Sequence, residues 1–247
     1  MSTTTVLITG GNRGIGLGLV AKYLSQPNYT VIAANRDPNH PTSQALFELP
    51  KGAGSNLIVV KYDASQWDSA KDAVQQAQAQ GVSHLDIVIA NAAIAKSYPL
   101  VKDAVRSEML EHYEVNVFGP IALYQATRDL LQKSPGKPVL ALMGSGSGGL
   151  GRQPPVPSAN YGATKAALHW YGIRINAEND WLNTLIVDPG WVKTEMGNEG
   201  ARILMGLAEA PGSVEETING TYNLLATTTK EKHGGKVVLY TGEVQIF

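Results

Sequence analysis

Residues 6–16 read VLITGGNRGIG, an apolar run that meets a glycine-rich turn and then a helical pattern. The run at 6–9 does not alternate with polar residues, as in strands that are buried on both faces of a parallel sheet. After the turn, apolar residues recur at helical spacing at Leu17, Val20 and Leu24. A strand, a glycine turn and a helix in this order predict the first unit of a doubly wound α/β sheet.

Similar apolar runs follow at residues 30–34, 57–62, 85–90, 139–143, 182–187 and 236–240. Helical patterns lie between them, and one has Ser65 as its predicted N-cap and an apolar stripe that starts at Trp67. Strands that alternate with helices form parallel sheets through right-handed crossovers. We therefore predict a single-domain Rossmann fold over residues 1–247, with a seven-stranded parallel sheet and helices on both faces.

The composition of the chain argues against several classes of function. The chain has 247 residues, a formal net charge of -1 and no basic run, so nothing suggests nucleic acid or an anionic membrane as a partner. It has no cysteine, which excludes disulfides and thiolate chemistry, and its histidines lack metal-ligand spacing. Without a signal-peptide pattern or a membrane-length apolar run, the expected protein is cytoplasmic and binds no metal.

The glycine turn predicts a dinucleotide site. Gly10 and Gly14 allow a tight turn and the close approach of a pyrophosphate, and Gly16 lets the helix pack near the strand. The helix N-terminus adds free N–H groups and a positive dipole end. The spacing is G-x-x-x-G-x-G, and a plain structural turn is the alternative. Its place at the first junction of strand and helix favours the cofactor.

The second apolar run ends at Asn35-Arg36-Asp37, about twenty residues after the glycine turn, where a dinucleotide site contacts the adenosine ribose. A carboxylate there accepts the 2′-hydroxyl of NAD, whereas arginine accommodates the 2′-phosphate of NADP. Arg36 and Arg13 together favour NADP because guanidinium groups suit a phosphate dianion. Asp37 argues for NAD.

The third and fourth apolar runs are each followed by a candidate cofactor contact, at Asp63 and at Asn91. Asp63 either accepts a hydrogen bond from the adenine or caps the helix that follows. Small residues from Asn91 onward let a cofactor lie flat on the sheet edge, or form a plain tight turn. The predicted cofactor residues of the N-terminal half are Gly10, Asn12, Arg13, Gly14, Ile15, Gly16, Asn35, Arg36, Asp63, Ala64, Asn91, Ala92 and Ala93.

Tyr161 and Lys165 lie four residues apart, so on a helix they share one face. A phenol and an ammonium held that close can transfer a proton. Residues 146–160 (GSGGLGRQPPVPSAN) and 195–213 (EMGNEGARILMGLAEAPGS) interrupt the regular pattern after strand ends. Ligands of doubly wound sheets bind at those ends, so the two segments are candidate pocket walls, or else ordinary surface loops.

These motifs resemble the short-chain dehydrogenase/reductase family. The matches, in the family's order, are TGGNRGIG at 9–16, Asn91-Ala92-Ala93, Ser145, Tyr161-x-x-x-Lys165 and PGWVKT at 189–194. They span almost the whole chain. PGWVKTEMG and the terminal GKVVLYTGE are similar to the carbonyl-reductase-like branch, and the segments around Asn91 and Tyr161 are similar to fungal ketoreductases of aromatic polyketide pathways. Ala93 replaces the family's glycine, and a longer spacing to Tyr161 makes Ser147 a rival of Ser145.

The resemblance implies that Ser145, Tyr161, Lys165 and Asn116 are catalytic. In reduction Tyr161 donates the proton and Ser145 donates a hydrogen bond to the carbonyl oxygen. Lys165 favours the phenolate and, by the resemblance, also holds the nicotinamide ribose. Asn116 is implied to hold a water of a proton relay, in a helix over 108–131 that Gly119-Pro120 should bend.

The resemblance also implies the rest of the cofactor site. Pro189, Gly190, Val192 and Thr194 join Tyr161 and Lys165 there. The expected activity is NADPH-dependent reduction of a bulky or aromatic small-molecule carbonyl, in a homodimer or homotetramer. Tyr98, Trp191 and residues 153–157 and 196–207 are candidate pocket residues. The alternatives are an NAD-dependent alcohol dehydrogenase and a cofactor-binding sensor or scaffold without catalysis.

Overall fold

The structure, a computed structural model, describes residues 3–246. The strands of this span are β1 (Thr4–Thr9), β2 (Tyr29–Asn35), β3 (Asn56–Lys61), β4 (Ile87–Ala90), β5 (Val139–Met143), β6 (Asn183–Asp188) and β7 (Val237–Leu239). They form one parallel sheet in the order β3-β2-β1-β4-β5-β6-β7. Every predicted apolar run overlaps its strand, so the predicted parallel seven-stranded sheet is confirmed.

Helices cover both faces of the sheet. They are α1 (Gly14–Leu24), α2 (Pro41–Gln44), α3 (Ser69–Ala79), α4 (Arg106–Tyr113), α5 (Gly119–Gln132), α6 (Ala159–Glu178), α7 (Glu195–Met205), α8 (Val214–Thr227) and α9 (Lys230–His233). Alternate residues of each strand enter two separate cores. Leu7 packs with α3, α5 and α6, whereas Ile8 packs with α1 and α8. This is the predicted Rossmann fold.

The strand order reverses between β1 and β4, which opens a crevice at their carboxyl ends. Hydrogen bonds hold the two strand ends in register. The Thr9 hydroxyl oxygen accepts from the N–H groups of Asn91 (3.0 Å) and Ala92 (2.9 Å). The Asn91 side-chain amide donates in return to the Thr9 carbonyl at 2.9 Å. The crevice therefore has a fixed floor where a cofactor would lie.

The helix after β3 begins later than predicted. The N–H and hydroxyl of Ser65 both donate to Asp63 Oδ1, at 3.0 and 2.8 Å, so Ser65 belongs to a turn and is not an N-cap. Because α3 begins only at Ser69, Trp67 precedes the helix and is 51% exposed. The prediction that Trp67 lies on the buried stripe is wrong.

The helix predicted over 108–131 contains a wide turn. A π-helical turn, Glu114–Phe118, separates α4 from α5 and contains Asn116. In a regular α-helix the donor to the Asn116 carbonyl would be the N–H of Pro120, which proline lacks. The expected disturbance at Gly119-Pro120 is thus present as a change of helical register, a feature frequent at functional sites.

More than half of the segment 195–213 is helical, because α7 covers Glu195–Met205, contrary to its interpretation as irregular. Thr194 caps α7 by accepting the Gly197 N–H at 3.1 Å, and Gly206 ends it with a φ of 66°. Both end signals are present in the sequence, but the internal glycines of this segment hide them. Within residues 3–246, no helix is both long and apolar enough to cross a membrane.

Candidate active site

The glycine turn forms a cradle that only glycine can build. Gly10 has a φ of 64°, in the left-handed region. A Cβ on Gly16 would lie 2.1 Å from the Gly10 carbonyl oxygen, so any side chain there would displace the turn from α1. The free N–H groups at the start of α1 face this turn. The cradle therefore fits a dinucleotide pyrophosphate.

The segment that links β6 to α7 closes the cradle from the other side. A Cβ on Gly14 would lie 3.5 Å from Thr194 Cγ2, so the predicted cofactor residues of the two segments meet. Arg13 also pairs with Glu195 across the gap, at 2.7 Å between exposed side chains. Val192 is buried behind them, where it pairs with Gly212. The structure brings the two halves of the predicted cofactor site together.

Four more of the predicted cofactor residues support the site through structural contacts. Asn35 is buried and donates to Ser43 Oγ at 3.2 Å. Asn12 donates to Thr42 Oγ1 at 2.7 Å, next to the end of β2. Ile15 packs into the core beneath α1, and Ala64 lies against Gly119 at the start of α5. These contacts form the walls around the adenosine end of the crevice.

Three charged residues that were predicted to lie at the adenosine end follow the carboxyl ends of β2 and β3. Arg36 is exposed immediately after β2. Asp37, the residue that argued for NAD, accepts the Asn39 N–H at 2.9 Å within its own turn. Asp63, which had two predicted roles, accepts from Ser65 and so holds the turn before α3 without capping the helix itself.

Tyr161 and Lys165 lie on α6, which Ser158 caps by accepting the Gly162 N–H at 3.1 Å. Lys165 Nζ lies 5.5 Å from the centre of the Tyr161 ring and donates to the Met143 carbonyl at 2.6 Å. Lys165 is only 2% exposed, and this burial lowers the pKa of its ammonium to about 8. The predicted pair therefore exists as a close contact.

Ser145 lies two residues after the end of β5 and forms a hydrogen bond with the same phenol. Burial raises the pKa of Tyr161, and the hydrogen bond with Ser145 acts in the opposite direction. Ser147, its predicted rival, donates its backbone N–H to Ser145 Oγ at 3.2 Å. The geometry thus brings Ser145 to Tyr161 and uses Ser147 to orient it.

Residues 144–149, here called the serine loop, lie directly on α6. A Cβ on Gly148 would stand 2.7 Å from the Lys165 carbonyl carbon, and one on Gly144 would stand 2.4 Å from Ile186 Cγ2. A side chain at Gly148 would have to move the backbone of α6, and one at Gly144 would have to displace the side chains of Ile186 and His169. The close packing fixes Ser145 relative to the phenol and the ammonium.

Asn116 joins three elements with its side chain. Its Oδ1 accepts the Ile94 N–H at 2.8 Å, and its Nδ2 donates to the Ile94 carbonyl at 2.9 Å and to Thr164 Oγ1 at 3.1 Å. The amide therefore ties the chain after β4 to α6, next to Lys165. The Asn116 carbonyl has no α-helical donor, because residue 120 is a proline.

Asp188 is a charged residue of the site that the sequence reasoning missed. It ends β6, is 7% exposed, and accepts the Gly190 N–H on Oδ1 at 2.9 Å. Burial raises the pKa of its carboxyl, while N–H groups of Gly190 and Gly146 and the Lys165 charge lower that pKa. An acidic residue at the end of an otherwise apolar run, directly before Pro189, was the available signal.

A cavity of about 410 Å³ opens beside Ser145. Its walls include Ser145, Arg152, Gln153, Pro154, His169 and Asp188. Burial, with the nearby Lys165 charge, lowers the pKa of His169 to about 4, so this imidazole is neutral near pH 7. Among residues 3–246, no group of three or more acidic or histidine side chains could hold a metal ion.

A second wall faces the site from α7. A Cβ on Gly200 would lie 3.0 Å from the Tyr98 hydroxyl, so Tyr98 extends from the chain after β4 to α7. The Trp191 indole N–H donates to the Gly197 carbonyl at 3.0 Å and leaves the ring 36% exposed. The predicted pocket residues Tyr98 and Trp191 therefore both contact α7.

Three features together define the site of a nucleotide-dependent oxidoreductase. They are the glycine cradle, the crevice where the strand order reverses between β1 and β4, and the contact of Ser145, Tyr161 and Lys165. The short chain dehydrogenase family model matches residues 4–202. The chain belongs to the short-chain dehydrogenase family, and is an oxidoreductase. The predicted resemblance is confirmed.

The chain is also similar to individual proteins of known name and to solved structures. The chain is 39% identical over 242 residues to norsolorinic acid ketoreductase of Dothistroma septosporum, covering 96% of this chain and 90% of that protein. It is 35% identical over 247 residues to norsolorinic acid ketoreductase of Aspergillus parasiticus, covering 98% and 90%. NADPH-bound carbonyl reductase from chicken fatty liver superposes with a TM-score of 0.85 at 26% identity, covering 100% and 95%.

Proposed function

We propose that this protein is an NADPH-dependent ketoreductase that reduces a bulky or aromatic carbonyl of the polyketide type to an alcohol. The contact of Ser145 and Lys165 with the Tyr161 phenol carries the proposal. The relatives named norsolorinic acid ketoreductases support the substrate class. We also propose one domain, because β1 and β7 belong to the same sheet.

The phenol suits the reductive direction. Burial raises the Tyr161 pKa, so near neutrality Tyr161 carries the proton that a developing alkoxide needs. The Ser145 hydroxyl lies beside it and donates a hydrogen bond to the carbonyl oxygen, where negative charge develops. Bound NADPH supplies the hydride. The proton, the hydrogen bond to the carbonyl oxygen and the hydride that the reaction needs are thus supplied at one place.

Lys165 stabilises the state that follows proton transfer. A phenolate at Tyr161 is favoured by the ammonium that faces its ring. Lys165 uses one N–H on Met143 and so has donors left for the hydroxyls of a ribose. Water bound at the Asn116 carbonyl would return a proton through Lys165 to Tyr161. Asn116 thus contributes through its main chain while its side chain holds the elements in place.

The adenosine end supports NADP. Arg36 is exposed to accept a 2′-phosphate, and the Asp37 carboxylate is turned into its own loop. Arg13 pairs with Glu195, but an ion pair between exposed side chains contributes at most about 1 kcal/mol. A phosphate dianion can therefore draw Arg13 away from Glu195 at little cost.

Apolar side chains at the mouth support a bulky substrate. Trp191, Ile203, Met205 and Leu207 are each exposed on or near α7. Exposed apolar surface beside a polar site favours aromatic or extended apolar ligands. Trp170 on α6 is likewise 58% exposed, and we propose that α5 and α6 pair with a second copy of the chain.

The test is NADPH consumption by the purified protein with a panel of carbonyls. The panel contains norsolorinic acid, simple aryl ketones and short aliphatic ketones, each with NADPH and with NADH. We expect turnover with the aromatic members and a preference for NADPH. Binding of NADPH without consumption by any carbonyl would instead support the sensor alternative. Faster turnover with NAD and alcohols would support the dehydrogenase alternative.

A further inference from the structure

We propose that Asp188 is a positioning residue of the active site, which joins the serine loop to the turn before Trp191 and keeps a fixed negative charge beside Lys165. Its kinetic consequence rests on the proposed reductase function, whereas its effect on Lys165 does not. The mechanism above needs no carboxylate, so a buried one at this place requires an explanation.

The geometry gives Asp188 two turns to hold. β5 and β6 are neighbouring strands, and their carboxyl ends lead into the serine loop and into Pro189-Gly190. Asp188 Oδ1 accepts the Gly190 N–H at 2.9 Å, and the Gly146 N–H is its second donor. Gly146 directly follows Ser145. One carboxylate therefore connects the catalytic serine to the segment that lines the nicotinamide end of the crevice.

The charge of Asp188 acts on Lys165. Within residues 3–246, the Lys165 ammonium has one hydrogen bond, and its acceptor is the neutral Met143 carbonyl. Burial of the Lys165 charge therefore needs other compensation. Asp188 supplies it by raising the Lys165 pKa against the effect of burial. The N–H groups of Gly190 and Gly146 lower the pKa of the carboxyl itself, against the raising effect of burial, and so favour its charged form.

Other titratable and charged groups around Asp188 do not replace it. They are Tyr161, Lys165 and His169 of α6, Arg152 across the cavity, and Tyr240 beyond Gly190. None of these groups is a carboxylate, and the side chains of Lys165 and Arg152 have no negative form. Burial keeps the proton on the Tyr161 phenol, and His169 is neutral near pH 7. Asp188 is thus the acid of this set.

Both effects of the charge favour reduction. A negative group raises the pKa of Lys165, and it also raises the pKa of Tyr161. The two groups therefore keep their protons to a higher pH than they would beside a neutral residue. As pH rises, loss of these protons ends reductive turnover, so removal of Asp188 must move that loss to lower pH.

The direct experiment follows the ionisation of Lys165 by NMR in protein with isotopically labelled lysines. The Lys165 signal is identified by its absence in Lys165→Met. In Asp188→Asn we expect it to titrate about one pH unit lower than in the wild-type protein. Titration at the wild-type pH would overturn the proposal. If Asp188→Asn does not fold, Asp188→Ser carries the same measurement.

A control variant separates charge at the site from the loss of a hydrogen-bonded, partly buried carboxylate elsewhere in the fold. Asp86 accepts the Thr5 N–H at 2.8 Å and the Ser134 hydroxyl at 2.6 Å, beside the amino ends of the strands. Asp86→Asn should leave the Lys165 titration unchanged. A shift as large in Asp86→Asn as in Asp188→Asn would show a general loss of packing, and would contradict the proposal.

The kinetic arm measures reductive kcat/KM against pH for the wild type and Asp188→Asn. The fall on the alkaline side should move about one pH unit lower, in step with Lys165. An equal loss at every pH, with the alkaline fall unmoved, would make Asp188 merely structural and overturn its role. If the wild type reduces no carbonyl, the proposed function fails, while the Lys165 titration still decides on Asp188.

Discussion

Two lysines at opposite ends of α6 show how one side chain serves structure and another serves chemistry. Lys230 Nζ donates to the carbonyls of Asn176 (2.6 Å), Asn179 (2.9 Å) and Leu182 (3.0 Å), and so caps the C-terminal end of α6. Among the residues that the structure describes, Lys165 Nζ has one hydrogen-bond acceptor, the Met143 carbonyl. Burial lowers the pKa of both ammonium groups.

The two lysines differ in how many ammonium N–H groups remain without an acceptor in the described part of the protein. An ammonium has three N–H groups, and at Lys230 the protein itself uses all of them. At Lys165 the fold bears the cost of burying a charge and leaves donors over for a ligand. Unsatisfied capacity in a buried charged group is therefore a better indicator of function than burial alone. The following variants test that distinction.

Tyr161→Phe should have the largest effect, because it removes the phenol that Lys165 faces. We expect turnover to fall by about 10²–10⁴-fold. NADPH binding, measured by fluorescence titration, should persist, since the ring still packs on α6. Tyr171→Phe, on the same helix beside Trp170, is the matched control and should keep full turnover. If Tyr161→Phe keeps full turnover, Lys165 has no phenolate to stabilise, and the catalytic role assigned to Lys165 in contrast to Lys230 is wrong.

Lys165→Met should reduce turnover by about 10²-fold, since it removes the charge that stabilises the phenolate. NADPH affinity should also fall, by about tenfold, with the loss of charge-assisted bonds to the ribose. The free energy of unfolding should not decrease, because methionine fills the space without burying a charge. Kinetics and denaturant unfolding of one preparation measure all three. A large loss of stability at full activity would assign Lys165 the structural role.

Arg36→Asp tests the exposed end of the same crevice. Loss of a charge-assisted bond to the 2′-phosphate costs about 1.5–3 kcal/mol, which is tenfold or more in the NADPH to NADH ratio of kcat/KM. Arg174→Asp is the control, since Arg174 lies in the last turns of α6 and pairs with Glu178. An unchanged ratio in Arg36→Asp would remove the arginine from the cofactor site.

Lys230→Met should have the smallest effect on turnover and a clear effect on stability. It leaves the carbonyls at the end of α6 without their shared donor, which should lower the free energy of unfolding by about 1–3 kcal/mol. Turnover per folded molecule should match the wild type. Denaturant unfolding and active-site titration check both statements. Loss of turnover in a fully stable Lys230→Met would mean that both lysines serve the chemistry.

The parts of the site that depend on neighbours in sequence were predictable. The glycine turn lies within one junction, and Tyr161 and Lys165 lie within one helical turn, so spacing alone places them. Seven apolar runs sufficed for the sheet because strands buried on both faces carry a strong signal. Trp67 was misplaced because the Asp63–Ser65 turn delays α3.

Contacts between distant segments were not predictable. Asp188 reaches Gly146 and Lys165 only because β6 lies beside β5, and sequence spacing carries no record of that pairing. The hydrogen bonds of Asn116 to Ile94 and Thr164 likewise need the assembled fold. The family resemblance indicated Asn116, but the structure shows that the side-chain amide of Asn116 already forms hydrogen bonds with Ile94 and Thr164.

The contact of the serine loop with α6 divides the active site into a closely packed part and an exposed part. Gly144 and Gly148 leave no room for a side chain, so a substitution at either position would displace the loop that holds Ser145. Beyond that point Leu150 and Arg152 are exposed, and α7 lies on the opposite wall. New substrates can be accommodated through those outer segments while the proton-transfer geometry stays constant, which makes them the natural target for directed evolution.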